Sequence, residues 1–233
     1  MTPVLIVSHG QPSDPGPAEA RLAAFGRQVA ARLAGQAVRT VTLAAPGGLD
    51  RVVAGFEGAP FLAYPMFMSD GWFVSTRLPD RLRAAGGSAH VLPPFGLDPA
   101  LPDLVRRTAL AAIREQGMEA RATTVLLTAH GSPRDPRPRR AARAQAAALT
   151  GAVKAVRFGF VDEAPGIEQM ARIDGPAITL PLFAATNGHV RQDVAAALDR
   201  GGFDGPRLPP IGEHAHAPVL VAHAITCATH AAA

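Results

Sequence analysis

Short runs of almost wholly apolar residues recur along this chain, and the stretches between them carry apolar residues at spacings of three and four. The runs predict strands from Thr2 to Ser8, Val38 to Leu43, Phe61 to Tyr64 and Ala89 to Leu92. A second set is predicted from Thr123 to Ala129, Ala155 to Phe160, Ala177 to Leu180 and Pro206 to Leu208. The intervening periodicity predicts helices that include Ala18 to Leu33, Ser75 to Ala85, Leu101 to Gln116, Arg137 to Ala148 and Arg191 to Arg200. Strands this short and this apolar, alternating with amphipathic helices, indicate an α/β protein whose parallel sheets are covered by helices on both faces.

The pattern is stated twice. Val4-Leu5-Ile6-Val7-Ser8-His9-Gly10 returns as Val125-Leu126-Leu127-Thr128-Ala129-His130-Gly131. In the same order, Ala45-Pro46-Gly47 answers to Ala164-Pro165-Gly166, Pro65-Met66-Phe67 to Pro181-Leu182-Phe183, and Leu92-Pro93-Pro94-Phe95-Gly96 to Leu208-Pro209-Pro210-Ile211-Gly212. Ordered matches of this kind are the mark of an internal duplication. The expectation is two similar lobes, 1–118 and 119–233, each a four-stranded parallel sheet flanked by helices, with Gly117 ending the helix before the junction. The copies differ in their chemistry: Ala44 and Phe73 stand in the first half where the second has Glu163 and His189.

Composition narrows the function. Apolar residues make up 48% of the chain, enough for a substantial core, and the formal charge of +4 rests almost wholly on arginine, Lys154 being the one lysine. A nucleic-acid partner would call for a denser basic face with interleaved aromatics, and aromatics are only 5% of residues. The single cysteine, Cys227, excludes an internal disulfide, fits a reducing cytoplasmic setting, and reads as a small buried hydrophobe. Met1 leads within two residues into a strand, which leaves no room for a secretory signal. The apolar stretch 215–233 is interrupted by His216, His223 and His230 and reads as a terminal helix, so no membrane span is expected.

Open parallel sheets bind ligands beyond the carboxyl ends of their strands. His9 and His130 follow the first strand of each half, Glu163 follows the second strand of the second half, and His189 follows the third. Two imidazoles and a carboxylate form the mixed N/O donor set that suits a borderline divalent metal. Arg134, Arg137, Arg139, Arg140 and Arg143 crowd after His130, and Arg191 follows His189; guanidinium groups so placed read either as a solvated helix face or as partners for the carboxylates of an anionic ligand. The histidines spaced by seven in the C-terminal helix lie about 10 Å apart, too far to share one ion, and read as solvent-facing. A strand running into His-Gly also opens the histidine phosphatases, but Ser8 and Ala129 occupy the position where that superfamily needs arginine.

The strand-His-Gly-Ser start, the segment Phe160-Val161-Asp162-Glu163-Ala164-Pro165, and Pro181-Leu182-Phe183 followed by Gly188-His189-Val190-Arg191-Gln192-Asp193 resemble the class II chelatases. Within that class the resemblance is to the sirohydrochlorin cobaltochelatase and ferrochelatase family in its long, duplicated form. It implies ATP-independent insertion of a divalent metal, with Co2+, Fe2+ or Ni2+ as substrate and no nucleotide cofactor. The partner implied is an anionic, precorrin-derived tetrapyrrole held in a cleft between two lobes. By the same resemblance His130 and His189 are the metal ligands and proton acceptors, and Glu163 is a third ligand or base. Arg134 and Arg191 are then expected to pair with the substrate's carboxylates, and Trp72 and Phe73 to lie against its macrocycle. A duplicated chain supplies both lobes, so a monomer suffices and a dimer is compatible. The alternative is a metal or tetrapyrrole binder that kept the fold and lost turnover.

Overall fold

A computed structural model describes residues 1–186 and 189–231, leaving out the side chains of 189–191. The chain divides into two compact units, Met1–Asp98 with Ala215–Ala233, and Pro99–His214.

The first unit is built on β1 (Val4–Ser8), β2 (Val38–Thr42), β3 (Phe61–Pro65) and β4 (Ala89–Val91), all parallel, in the order β2-β1-β3-β4. Residues 4–7 of β1 and all of β3 are buried, which is why these strands read as continuous apolar runs rather than alternating ones. The strands are joined by α1 (Pro15–Ala30), α2 (Gly48–Ala54) and α3 (Leu78–Ala84), and α3 is preceded by a π-helical turn over Phe73–Arg77. One face of the sheet packs Leu5, Val7, Val41 and Ala63 with Val53 of α2 and Leu78 and Leu82 of the α3 segment, and Phe56 stacks on Phe61 at 4.3 Å.

The second unit opens with α4 (Leu101–Glu115) and repeats the scheme with β5 (Thr124–Ala129), α5 (Arg137–Ala146), β6 (Ala155–Phe160), α6 (Ile167–Met170), β7 (Ala177–Pro181) and α7 (Ala195–Arg200). Its sheet has the order β6-β5-β7. The duplication holds down to register: Ser8 pairs with Thr42 as Ala129 pairs with Phe160, and Val7 with Pro65 as Thr128 with Pro181. It extends to an irregular feature, since the π-helical turn at Phe73 recurs as one over His189–Val194 before α7.

Two expectations need correction. The fourth strand expected from Pro206 to Leu208 is reduced to a single bridge, Thr179 with Arg207, so the second sheet has three strands and not four. Pro206 stands where the first sheet has His90 and brings no N–H with which to extend the ladder, although Thr179 N still donates to its carbonyl at 2.9 Å. The compact units also do not follow the expected boundary at 118. The helix at the end of each sequence half is exchanged: α4 packs against α5 and β7, and α8 (Ala217–Ala231) packs against α1 and β3. Buried Gln36 anchors that last helix, donating from Nε2 to Thr229 Oγ1 at 3.3 Å. Among the described residues no helix is long and apolar enough to cross a membrane.

Candidate functional site

The site in the second unit begins where β5 runs out. Thr128 is fully buried, and two residues later His130 stands with its side chain 46% exposed. Gly131 adopts φ +74, a left-handed conformation that turns the chain sharply and that only glycine takes without strain. The turn brings the Gly131 carbonyl to 3.2 Å from His130 Nδ1. The same nitrogen lies 3.1 Å from Asp162 Oδ2, in the loop after β6. With two oxygen acceptors facing it, Nδ1 is the nitrogen suited to carry the proton, and in that tautomer the lone pair lies on Nε2, the nitrogen a metal ion would take.

The loop from His130 to α5 is held by its own side chains. Ser132 Oγ accepts from Asp135 N at 3.2 Å, and Asp135 accepts from both Arg137 N and Arg137 Nε at 3.0 Å. Arg139, on the first turn of α5, reaches across to Glu163, which accepts from Arg139 Nε at 2.9 Å and also from Nη2. Arg139 Nη2 donates further to Ala164 O at 2.9 Å, and the guanidinium lies 5.7 Å from the centre of the Phe160 ring. Glu163 Oε1 accepts from Ser132 N at 3.2 Å. With its side chain only 7% exposed, Glu163 is the buried centre of a brace joining the loop after β5, the loop after β6 and α5. Its hydrogen bonds hold the Arg139 guanidinium above its ordinary pKa.

This geometry redistributes the residues expected from sequence. His130 and Glu163 lie in adjacent loops at one end of the sheet, but Glu163 is engaged by Arg139 and by backbone rather than presented as an open ligand. Asp162, passed over in the sequence because its neighbour carried the resemblance, is the carboxylate at His130. Of the clustered arginines, Arg137 and Arg139 are bonded to Asp135 and Glu163, whereas Arg134, Arg140 and Arg143 are exposed. His189 opens the π-helical turn after β7, and its side chain, like that of Arg191, lies outside the described residues. Among the described residues no group of three or more His, Cys, Asp or Glu side chains is arranged to hold a metal ion.

The first unit shows what the same scaffold does without these groups. His9 Nδ1 contacts Gly10 O at 3.2 Å, and Gly10 has φ +75, the geometry of His130 and Gly131 over again. Phe73, at the position equivalent to His189, puts its ring 5.7 Å from His9 and stacks on Phe67 at 5.4 Å. Trp72 beside it is 60% exposed. An aromatic residue thus stands at the chain position that His189 holds in the second unit. Elsewhere, Cys227 is exposed rather than buried, 3.6 Å from His223 on the outer face of α8, because the helix turns Leu220, Val221 and Ile225 inward instead. His216 and His230 are exposed as well.

Comparison with known proteins agrees with this architecture. The sequence model of the CbiX family matches residues 124–226. The structure of CbiX described as the terminal enzyme for biosynthesis of siroheme in denitrifying bacteria superposes with a TM-score of 0.90 at 44% identity, covering 97% of this chain and 99% of that one. SirB from Bacillus subtilis, solved with Fe3+, shares the fold at a TM-score of 0.73 and 18% identity, over 97% of this chain and 95% of its own. DR2241 from Deinococcus radiodurans, a multi-domain protein with structural similarity to chelatases, does so at 0.68 and 19% identity, over 97% of this chain and 54% of its own. A search of curated proteins returns no match. An identity of 44% sustained over almost the whole of both chains is more than a shared fold, and it shows that this chain belongs to the CbiX family of class II chelatases.

Proposed function

We propose that this protein inserts a divalent metal ion into sirohydrochlorin or a closely related tetrapyrrole, without ATP, and that its second unit carries out the chemistry. The observation that carries the reading is His130: an imidazole at the carboxyl end of the central strand, fixed through Nδ1 so that Nε2 is the metal-binding nitrogen. His189 is its partner ligand, beginning the element that follows the adjacent strand β7. The first unit keeps the scaffold and puts Phe73, not a histidine, at the corresponding position, 5.7 Å from His9.

Insertion replaces two pyrrole N–H protons by one divalent ion and releases two protons. Two neutral imidazoles hold a first-row ion loosely enough to surrender it to four pyrrole nitrogens, and an imidazole relieved of its ion becomes a base for a departing proton. Arg134 and Arg191 are assigned to the acetate and propionate groups of the substrate, and Arg134 is exposed as that role requires. Trp72 and Phe73 offer aromatic surface of the kind a macrocycle stacks on. The N/O donor set serves Co2+, Fe2+ and Ni2+ alike. Among these ions, the siroheme role stated for the CbiX relative favours Fe2+.

The test is anaerobic absorbance of sirohydrochlorin with Fe2+ or Co2+, comparing wild type, His130→Ala, His189→Ala, His9→Ala and no protein. The expected result is acceleration by wild type, loss in the first two variants and retention of much of the rate in His9→Ala. Loss in His9→Ala with retention in the other two would move the site to the first unit. A shifted spectrum without acceleration would reduce the protein to a tetrapyrrole binder.

A further inference from the structure

Two consecutive carboxylates follow β6, and the structure gives them opposite surroundings. Glu163 is buried, neutralised by Arg139 and bonded to Ser132 N. An ion that took Glu163 as ligand would have to displace Arg139 and Ser132 N from a carboxylate whose side chain is only 7% exposed, a costly exchange for a buried charge that is already paired. Asp162 is about half exposed and lies within hydrogen-bond distance of His130 Nδ1. Resting on the chelatase reading above, we propose that Asp162 is the positioning carboxylate of the metal-binding histidine, and that Glu163 acts only as the brace that sets the loop.

The duplication supplies a second, independent line. The ladder ends Ser8 with Thr42 and Ala129 with Phe160 are equivalent. From there to Ala-Pro-Gly the first unit has two residues, Leu43 and Ala44, whereas the second has three, Val161, Asp162 and Glu163. A side chain placed at Gly10 would meet Ala44, and one placed at Gly131 would meet Glu163. Glu163 is therefore the counterpart of Ala44, and the second unit holds one additional residue, which places Asp162 against His130. The extra carboxylate is found in the unit that has the second histidine and is missing from the unit that has Phe73. A ligating imidazole that donates its other N–H to a carboxylate is held in one tautomer and one orientation and is a more basic ligand.

The probe is Co2+ alone, titrated into the full-length protein and followed by its d–d absorption, with melting by circular dichroism and sirohydrochlorin insertion measured on the same samples. Asp162→Ala is expected to weaken Co2+ binding by about 10–100-fold with little change in melting, the range for loss of such an outer partner. Asp162→Asn, whose amide oxygen can accept the same Nδ1–H, should recover a large part of that loss. Glu163→Gln should lower the melting temperature more than Asp162→Ala does and weaken Co2+ binding less. Wild-type affinity in Asp162→Ala, or loss of binding confined to Glu163→Gln, overturns the proposal, as does Co2+ binding that survives His130→Ala. If Co2+ binds through His130 but insertion is not accelerated, the chelatase reading fails, and the affinity series still decides the role of Asp162.

Discussion

Replacing Gly131 by alanine tests whether the brace around Glu163 sets the geometry of the site. Two costs arise. The backbone at φ +74 is left-handed, and a Cβ there costs about 1–2 kcal/mol. The new methyl group would also stand 2.7 Å from Glu163 Cγ and 2.8 Å from its Oε1, closer than real contacts allow, and a tight 3.0 Å from Phe160 Cβ. Glu163 cannot simply swing away, because Arg139 and Ser132 N hold it, so overpacking adds about 1–3 kcal/mol. Gly151 supplies the control: it lies in the same unit, has φ +75, and a Cβ there would meet nothing within 4 Å. Gly151→Ala should therefore cost about 1–2 kcal/mol and leave insertion intact, whereas Gly131→Ala should cost about 2–5 kcal/mol and slow insertion by displacing His130. The assays are denaturant unfolding followed by circular dichroism, and anaerobic metallation. Equal destabilisation by the two variants, or full activity in Gly131→Ala, would refute the claim that packing against Glu163 governs this loop.

Other consequences can be read from single groups. Arg139→Ala should destabilise the second unit far more than Arg134→Ala, since only the former leaves a buried carboxylate without its partner; similar melting temperatures would contradict the brace. The Tyr64 hydroxyl is buried with no hydrogen-bond partner among the described residues, so Tyr64→Phe should be neutral or stabilising in denaturant unfolding, and a clear loss would point to a bond to ordered water. Burial, with a smaller contribution from Asp98, pushes the Tyr64 pKa up from 10.0. The unfolded chain then releases this proton before the folded one does, and stability should fall above about pH 10 by up to about 1.4 kcal/mol per pH unit. That component should vanish in Tyr64→Phe; because Tyr64 is the only tyrosine, a phenolate absorbance appearing in the folded protein near pH 10 would contradict the shift.

Much of the fold was legible because it rests on local regularities. A strand buried on both faces is an apolar run, and a helix lying on a sheet shows a three-to-four periodicity, so seven of the eight expected strands are present, with ends shifted by no more than two residues. The eighth failed at Pro206, where a missing N–H outweighs the neighbouring apolar residues. The short helices α2 and α6 were not singled out, because seven and four residues are too few to display a period. Their position after Ala-Pro-Gly in both halves was the available signal.

What the sequence alone determined is the alternation of strand and helix, the duplication, and the placing of His130, Glu163 and His189 beyond strand ends, since these follow from chain order and from which backbone groups must be paired. Tertiary structure decided which side chains meet. Arg139 and Glu163 are 24 residues apart, and nothing in their spacing says that one neutralises the other. Adjacent Asp162 and Glu163 are chemically alike, and only the turn of the loop sends one toward His130 and buries the other against Arg139. The same holds for α4 and α8: each closes its own sequence half, yet α4 belongs to the second compact unit and α8 to the first. Periodicity states that a face is to be buried, and only the three-dimensional path of the chain states against what.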